Sequence, residues 1–254
     1  GLKNKRKIVA LTAYDYLMAY YLETAGIDII LVGDSLGNVF CGYKNTLPVT
    51  VDNIIYHTNA VSRGAKNTFI VADMPFMSYQ GSVLSAKKNA GKIMKQTNAK
   101  AVKLEGGIEI LPQIKSIIDI GIPVMGHIGT QPQSINKYGG YPVSGSTPQE
   151  RDNLIKTAIE LEKAGVFAIV LEKIKAQTAS LITKNVGIPT IGIGSGPWCN
   201  GQILVTYDLI GAFPDFTPKF IKKYDKISQK IINAVSKFIK DVKNKKYPSQ
   251  KYYF

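Results

Sequence analysis

Short apolar runs rich in β-branched residues alternate with longer helical patterns along most of this chain. The apolar runs predict strands at 8–12, 27–32, 69–72, 101–104, 124–126, 168–171 and 190–193, with a weaker eighth at 209–210. Apolar residues at helical spacing predict helices at 16–25, 51–63, 82–97, 108–120, 147–164, 177–184 and 225–242. Strands that alternate with helices form right-handed βαβ units around a parallel sheet.

The number of these units decides between the two common parallel architectures. Seven or eight units favour a closed barrel over an open doubly wound sheet, and 254 residues suit one large domain of that kind. We therefore predict an α/β fold, a (β/α)8 TIM barrel, as a single catalytic domain over residues 1–254 with a basic C-terminal tail.

The net charge of +14 raises the question of a polyanionic partner, and it comes almost wholly from lysine. Nucleic-acid-binding surfaces interleave arginine with aromatic residues, whereas these lysines are spread over helix faces and clustered in the tail "KFIKDVKNKKYPSQKY". No apolar run approaches the roughly 20 residues of a spanning helix. We expect a solvated basic surface, with no nucleic acid and no membrane as partner.

The cysteines and the N-terminus bear on the compartment. Cys41 and Cys199 have neither disulfide-scaffold nor zinc spacing, which favours a reducing environment. The apolar stretch that follows the basic N-terminus is too short for a signal peptide. We expect a cytoplasmic protein.

Ionisable side chains recur at the carboxyl ends of the predicted strands. They follow strands two to six in turn: Asp34, Asp73, Glu105, His127 and Glu172. The carboxyl ends of the strands in a parallel barrel meet on one rim, the face that carries catalysis in barrel enzymes. In an open sheet, only the residues near a topological switch point would meet.

Asp34, Asp73 and Glu105 belong to three consecutive strands, which predicts three carboxylates within a few ångströms of each other. Like charges that close raise one another's pKa unless a cation compensates them. Oxygen ligands without histidine or cysteine favour Mg²⁺ or Mn²⁺ over Zn²⁺. The alternative is that each acid caps the helix that follows its strand.

Other polar residues surround this predicted metal site. Lys103 has the same strand parity as Glu105, so both can point into the barrel, and a salt bridge between them is the alternative role for the lysine. Ser35 stands beside Asp34. His127 is a candidate donor to a substrate carboxylate or a buried structural histidine. Glu172 is a candidate general base, or a partner of a neighbouring lysine.

Long motifs make the sequence resemble one family in particular. In chain order they are "LTAYDY", "AGIDIILVGDSLGNV", "VADMPFMSYQ", "AVKLEGG", "GIPVMGHIGTQPQS", "LEKAGVFAIVLE", "IPTIGIGSGPWCNGQ" and "TPKFIKKY". The sequence is similar to the ketopantoate hydroxymethyltransferases from about residue 2 to the tail. The resemblance implies a (β/α)8 barrel, Mg²⁺ and a cytoplasmic homo-oligomer, a homodecamer in the family.

The implied reaction belongs to pantothenate biosynthesis in the coenzyme A pathway. It transfers a hydroxymethyl group from the co-substrate 5,10-methylenetetrahydrofolate to 3-methyl-2-oxobutanoate, giving 2-dehydropantoate and tetrahydrofolate through a Mg-stabilised enolate.

By motif, Asp34, Asp73 and Glu105 resemble the metal ligands, and Glu172 resembles the catalytic base. The residues that resemble substrate-binding groups are Asp34, Ser35, Asp73, Lys103 and His127.

The sequence departs from the family pattern at Asn38, Lys175, Asn200 and Tyr207, none of which matches a metal or base position. Two other functions compete with the implied one. A lyase or mutase of the isocitrate lyase type also uses a barrel, Mg²⁺ and a 2-oxo acid, although its reactive loop cysteine has no counterpart here. A basic nucleic-acid-binding protein is the alternative from another class.

Overall fold

The computed structural model describes residue 3 and residues 6–140, 142–214 and 218–254, excluding the side chain of Tyr138. The described chain divides into two compact units, one up to Val205 and one from Thr206 onward. The first unit holds all the strands of the sheet. The prediction of a single domain over residues 1–254 stays a prediction.

The first unit is a closed barrel of eight parallel strands in sequence order, which confirms the predicted fold. The strands are β1 (Ile8–Thr12), β2 (Ile29–Val32), β3 (Phe69–Asp73), β4 (Ala101–Glu105), β5 (Val124–Gly129), β6 (Ala168–Glu172), β7 (Thr190–Ile193) and β8 (Gly201–Leu204). Pairing of β1 with β8 closes the barrel.

The helices of the first unit are α1 (Tyr16–Thr24), α2 (Leu36–Val39), α3 (Val51–Gly64), α4 (Val83–Gln96), α5 (Leu111–Asp119), α6 (Ile135–Tyr138), α7 (Pro148–Lys163) and α8 (Ala176–Asn185). Helix α7 begins at a capping box. The Thr147 side chain accepts a hydrogen bond from the Glu150 backbone N–H, and the Glu150 carboxylate accepts one from the Thr147 backbone N–H. Similar capping boxes begin α3 and α4. Local sequence thus fixes where these helices start.

The barrel interior changes from apolar to ionic along its axis. The buried apolar side chains that fill it are Ile8, Ala10, Leu31, Val71, Ala101, Met125, Ala168, Val170, Ile191 and Ile203. Because successive strand residues face opposite sides, Ala101 in this core is followed two and four residues later by Lys103 and Glu105. Both charged side chains therefore lie above the apolar core, on the carboxyl side of the barrel.

The eighth strand is the one strand whose predicted position was wrong. It is Gly201–Leu204, whereas Leu209 ends a short helix, α9 (Thr206–Leu209). A Cβ at Gly201 would overlap the carbonyl oxygen of Ile8, so β8 can approach β1 only with glycine there. Glycine and glutamine weaken the β signal of this segment, because neither contributes an apolar, β-branched side chain.

The predicted helix 108–120 is two elements. A 3₁₀ turn at Ile108–Ile110 precedes α5, and Pro112 lies in the first turn of α5. In the first turn of an α-helix a backbone N–H has no partner within the helix, so a proline fits there. Inside a helix that began earlier, the same proline would remove a backbone hydrogen bond. Further 3₁₀ turns cover Pro132–Ser134 and Gln250–Tyr252.

The second unit contains α9 and α10 (Ile227–Lys243). None of the 17 residues of α10 is buried. Apolar side chains at Ile231, Val235, Phe238 and Val242 recur at helical spacing and are each between 44% and 55% exposed. Among the described residues, no helix combines the length and the hydropathy that crossing a bilayer requires.

Candidate active site

The strand ends bring the three predicted ligand carboxylates together. Oxygen atoms of Asp34, Asp73 and Glu105 all lie within 4.8 Å of one another, and all three side chains are buried. Asp73 and Glu105 are the last residues of β3 and β4, and Asp34 follows β2 by two residues. The N-cap positions of the helices that follow are occupied by Ser35, Ser82 and Gly107, so none of the three acids is an N-cap residue.

Lys103 is the cation nearest to these acids. Its Nζ lies 2.7 Å from Asp73 Oδ1 and 3.6 Å from Glu105 Oε1. The register of the sheet pairs Asp73 with Lys103 directly, which explains why the cross-strand acid is the closer partner. Lys103 therefore pairs with two acids, Asp73 and Glu105, and not with Glu105 alone.

The acids differ in how their surroundings change their proton affinity. Burial raises the pKa of Asp34 well above its usual range, and the charges of Asp73 and Glu105 raise it further. Burial also raises the pKa of Asp73, although Lys103 opposes the change. Burial acts in the same direction on Glu105, but Lys103 and His127 outweigh it, so the pKa of Glu105 is lowered. One lysine thus does not offset three clustered carboxylates.

His127 lies between two acids on the rim. It is within β5 and not after it, and its Nδ1 is 3.4 Å from Glu105 Oε1. Its Nε2 is 3.3 Å from Glu172 Oε2; both contacts are ionic, without the geometry of well-formed hydrogen bonds. Burial lowers the pKa of His127, but Glu105 outweighs burial and raises it to about 9. The imidazole is therefore charged at pH 7.

Glu172, the last residue of β6, is the most exposed acid of the group, with 17% of its side chain exposed against 3% for Glu105. Gly129 of β5 has φ of 99° and lies against the Glu172 main chain, where a Cβ would overlap the Glu172 carbonyl oxygen. The Thr130 N–H donates to that oxygen at 2.8 Å. The backbone that carries Glu172 is thus held by β5, while its carboxylate reaches the opening of the barrel.

Ser35 forms a hydrogen bond with Tyr14, which lies two residues after β1. Its Oγ lies 2.8 Å from the hydroxyl of the buried Tyr14. His57 Nδ1 lies 2.6 Å from the Tyr14 carbonyl oxygen. His57 is itself buried inside α3, and it supports the backbone of Tyr14.

Sequence reasoning missed two side chains that contact the acids. Gln133 Nε2 donates to Asp34 Oδ2 at 2.9 Å, and the Gln133 backbone N–H donates to Glu105 Oε2 at 3.1 Å. The Tyr79 hydroxyl accepts from the Glu105 N–H at 3.1 Å. Both residues lie in quoted motifs, "GHIGTQPQS" and "ADMPFMSYQ", but neither carries a charge at neutral pH that would mark it as a site residue.

Two departures from the family pattern have local explanations. Asn38 Nδ2 donates to the Tyr43 carbonyl oxygen at 3.0 Å, within the segment that follows Asp34. Asn200 Oδ1 accepts from the Thr190 N–H at 3.1 Å, at the start of β7. Nothing in the structure explains Lys175 or Tyr207 in terms of the site.

The fold resembles barrels with other chemistries. The crystal structure of phosphonopyruvate hydrolase in complex with oxalate and Mg²⁺ superposes with a TM-score of 0.64 at 12% sequence identity, covering 97% of this chain and 88% of the other. At that identity the likeness shows a shared fold alone.

Sequence comparison is more specific. The family model for ketopantoate hydroxymethyltransferase matches residues 2–250. A 3-methyl-2-oxobutanoate hydroxymethyltransferase from Thermotoga sp. (strain RQ2) is 52% identical over 253 residues, covering 100% of this chain and 93% of the relative. A protein of the same name from Enterococcus faecalis is 51% identical over 253 residues, covering 100% and 92%. The chain belongs to the ketopantoate hydroxymethyltransferase family.

Proposed function

We propose that this protein transfers a hydroxymethyl group from 5,10-methylenetetrahydrofolate to 3-methyl-2-oxobutanoate in pantothenate biosynthesis. One water is taken up, and the products are 2-dehydropantoate and tetrahydrofolate. Family membership supports the reaction class. The observation that carries the proposal is the cluster of Asp34, Asp73 and Glu105 with Glu172 on the same rim.

The donor set fits a hard divalent cation. Three buried carboxylates within 4.8 Å supply oxygen ligands only, as Mg²⁺ prefers. Burial and, after it, the charges of Asp73 and Glu105 raise the pKa of Asp34 despite Lys103, and a bound cation would oppose these effects. We infer that Asp34, Asp73 and Glu105 hold Mg²⁺. When bound, the ion supplies a Lewis acid that stabilises negative charge on the oxygens of the 2-oxo acid.

The other residues have separate roles in this proposal. Lys103, Ser35 and His127 present donors from three different strand ends toward an anionic substrate. Asp34 and Asp73 contribute to the substrate site through the same carboxylates that hold the ion. Glu172 removes the C3 proton, and the C3–H electron pair becomes that of an enolate. Water hydrolyses the 5,10-methylene bridge: both C–N bonds break, the two folate nitrogens regain their electron pairs and protons, and the one-carbon unit is released as formaldehyde. The nucleophilic C3 then bonds to the formaldehyde carbon, the π electron pair of its C=O bond moves to oxygen, and the resulting alkoxide takes up the proton that Glu172 removed.

Magnitudes indicate why a base and a cation are both needed. A positioned base contributes about 10² to 10⁴ in rate, equivalent to roughly 3 to 5.5 kcal/mol. That contribution is small for a weak carbon acid, so charge stabilisation at the substrate oxygens must contribute as well. In this proposal Glu172 is the base and the three clustered carboxylates hold the cation. The two groups are separate, because His127 lies between Glu172 and Glu105.

Proton exchange tests the proposal without the folate. The protein is mixed with 3-methyl-2-oxobutanoate in D₂O, with Mg²⁺ or with a chelator, and the C3 proton is followed by NMR. We expect exchange that requires the divalent ion. A protein that leaves the C3 proton in place, with and without folate, does not carry out this reaction.

We also propose that the protein assembles into a homo-oligomer and that a second copy covers the apolar face of α10. A helix with that many exposed apolar residues is stabilised chiefly by packing. Phe238→Asp places a charge on this face and should reduce the mass measured by light scattering. Lys237→Asp, one position away on the polar face, should not. An unchanged mass for both variants contradicts the proposed interface.

A cytoplasmic location is part of the proposal. Its support is that both Cys41 and Cys199 are free, as proteins of reducing compartments usually have them. Cell fractionation with an antibody to the protein tests the location.

A further inference from the structure

Gln133 occupies the centre of a buried hydrogen-bond network between two of the clustered acids, and only 4% of it is exposed. Its side-chain Nε2 donates to Asp34 Oδ2 at 2.9 Å. Its backbone N–H donates to Glu105 Oε2 at 3.1 Å. One residue therefore holds an oxygen atom of each of two carboxylates that reach the rim from different strands.

The orientation of the Gln133 amide is determined by its other partners. Nε2 also donates to the Met74 carbonyl oxygen at 3.0 Å. Oε1 accepts from the Gln80 amide at 3.0 Å and lies 2.9 Å from the Tyr79 hydroxyl. A backbone carbonyl cannot donate, so a flipped amide would set two acceptor oxygens against each other at Met74. The amide N–H must therefore face Asp34.

Tyr79 connects this network to the backbone of Glu105. Its buried hydroxyl lies 2.7 Å from the Glu105 carbonyl oxygen, besides accepting from the Glu105 N–H. The main chain of Glu105 is thus fixed by Tyr79, and the carboxylate of Glu105 is fixed by the Gln133 backbone. Asp34 is held by the side chain of Gln133 alone within this network.

We propose that Gln133 is a positioning residue that sets the rotation of the Asp34 and Glu105 carboxylates for a divalent cation. The terminal torsions of aspartate and glutamate are broad when nothing holds them. Hydrogen bonds from neighbouring groups orient metal-binding side chains, and loss of such a bond typically weakens metal binding. The inference rests on the proposed function, because it assumes that these acids hold the ion.

The test is Mn²⁺ binding to the full chain, measured from the free-ion signal in electron paramagnetic resonance. Gln133→Met removes the side-chain donor and keeps the backbone N–H to Glu105. We expect the Kd for Mn²⁺ to rise about 10- to 100-fold. Gln131→Met is the matched control, since Gln131 lies in the same segment and its side chain bonds to the Ser134 hydroxyl and to neither acid among the described contacts. Its Kd should change less than about threefold.

A second measurement separates positioning of the ion from a general structural effect. At saturating Mn²⁺, C3 proton exchange by Gln133→Met should return to within about threefold of the unaltered protein, because excess ion compensates for weaker binding. An unchanged Kd in Gln133→Met, an equal increase of the Kd in Gln131→Met, or C3 proton exchange that stays low at saturating Mn²⁺ overturns the proposal.

If Gln133→Met does not fold, Gln133→Asn gives the same test. Asparagine keeps an amide but is shorter by one methylene, so the amide nitrogen no longer reaches Asp34. Failure of the inference is distinguishable from failure of the proposed function. An unaltered protein that binds no Mn²⁺ overturns both, whereas one that binds Mn²⁺ and exchanges the C3 proton, with a Gln133→Met variant that binds equally well, overturns the inference alone.

Discussion

The Lys103 ammonium group forms an ion pair with Asp73 at 2.7 Å, with at most 4% of either side chain exposed. Burial lowers the pKa of Lys103, but the neighbouring carboxylates outweigh burial and raise it above its ordinary value. The lysine is therefore charged at neutral pH, and it offsets part of the repulsion among the three acids.

Lys103→Met should abolish substrate binding and destabilise the protein. Removal of one partner from a buried ion pair leaves the other charge uncompensated, which costs about 3 to 5 kcal/mol. Urea unfolding measures the loss of stability, and titration with 3-methyl-2-oxobutanoate measures binding. Lys92→Met is the control, because Lys92 pairs with Asp52 on the surface. A Lys103→Met protein that binds the 2-oxo acid normally would exclude Lys103 from the substrate site.

Glu172→Gln should retain substrate binding and lose C3 proton exchange. The amide keeps the size of the side chain but cannot accept the proton, so exchange should slow by about 10² to 10⁴. NMR in D₂O measures the rate, and calorimetry measures the affinity. Glu162→Gln removes the same charge from a carboxylate that accepts a hydrogen bond from the Gly187 N–H, and this variant should exchange the C3 proton at the normal rate. Exchange at the normal rate in Glu172→Gln would exclude Glu172 as the base.

Glu105→Gln should weaken divalent-ion binding by at least about 100-fold. The change removes one of three anionic ligands, and the affinity of oxygen-ligand sites depends strongly on ligand charge. Calorimetric titration with Mg²⁺ measures the effect. Glu109→Gln is a matched control four residues along the chain, where the carboxylate bonds to the Gly107 N–H outside the cluster. Equal affinities for the two variants would exclude Glu105 as a ligand.

Glu23 should make the stability of the barrel depend on acid pH. Burial raises the pKa of Glu23, but hydrogen bonds from Thr68 and from the backbone of residues 66–68 outweigh burial and lower it. A lowered pKa in the folded state contributes stability above the unfolded pKa of about 4.3, and this stability is lost as the pH falls through the folded value.

Glu23→Gln should therefore lower the free energy of unfolding by about 1 kcal/mol at pH 7, a value reduced for partial exposure. The difference from the unaltered protein should begin to shrink below about pH 4.3 and continue to shrink as the pH falls through the lowered folded pKa, where the carboxylate becomes neutral. Urea titrations at both pH values measure it. Glu160→Gln, which breaks an exposed pair with Lys163, should have little effect at either pH. A difference that is constant with pH contradicts the role given to the charge.

The fold and the acids of the site were predictable because their signals are local. A buried strand followed at once by a carboxylate is visible at Asp34, Asp73 and Glu105 without knowledge of distant contacts. β8 was not predictable in the same way, because Gly201 is required by close approach to β1 and not by the strand itself.

Contacts across strands were predicted less well than positions along strands. Parity placed Lys103 on the same side as Glu105, but the sheet register makes Asp73 its nearer partner. Gln133 is the clearest omission: its amide bonds to an acid 99 residues earlier, and an uncharged side chain in a turn gives no chemical signal. The partners of a site's hydrogen bonds depend on tertiary structure, whereas its charged residues can be identified from the sequence.

The change from an apolar to an ionic barrel interior has a consequence for thermal stability. The repulsion among three buried acids, offset in part by one lysine, opposes folding, so a divalent ion bound at the proposed site would stabilise the folded state. Ion at 100 times its Kd would add about 2.7 kcal/mol, or roughly 5 to 10 °C in melting temperature. Removal of the ion by a chelator should therefore lower the melting temperature of the barrel. The melting temperature would then report the concentration of free divalent ion.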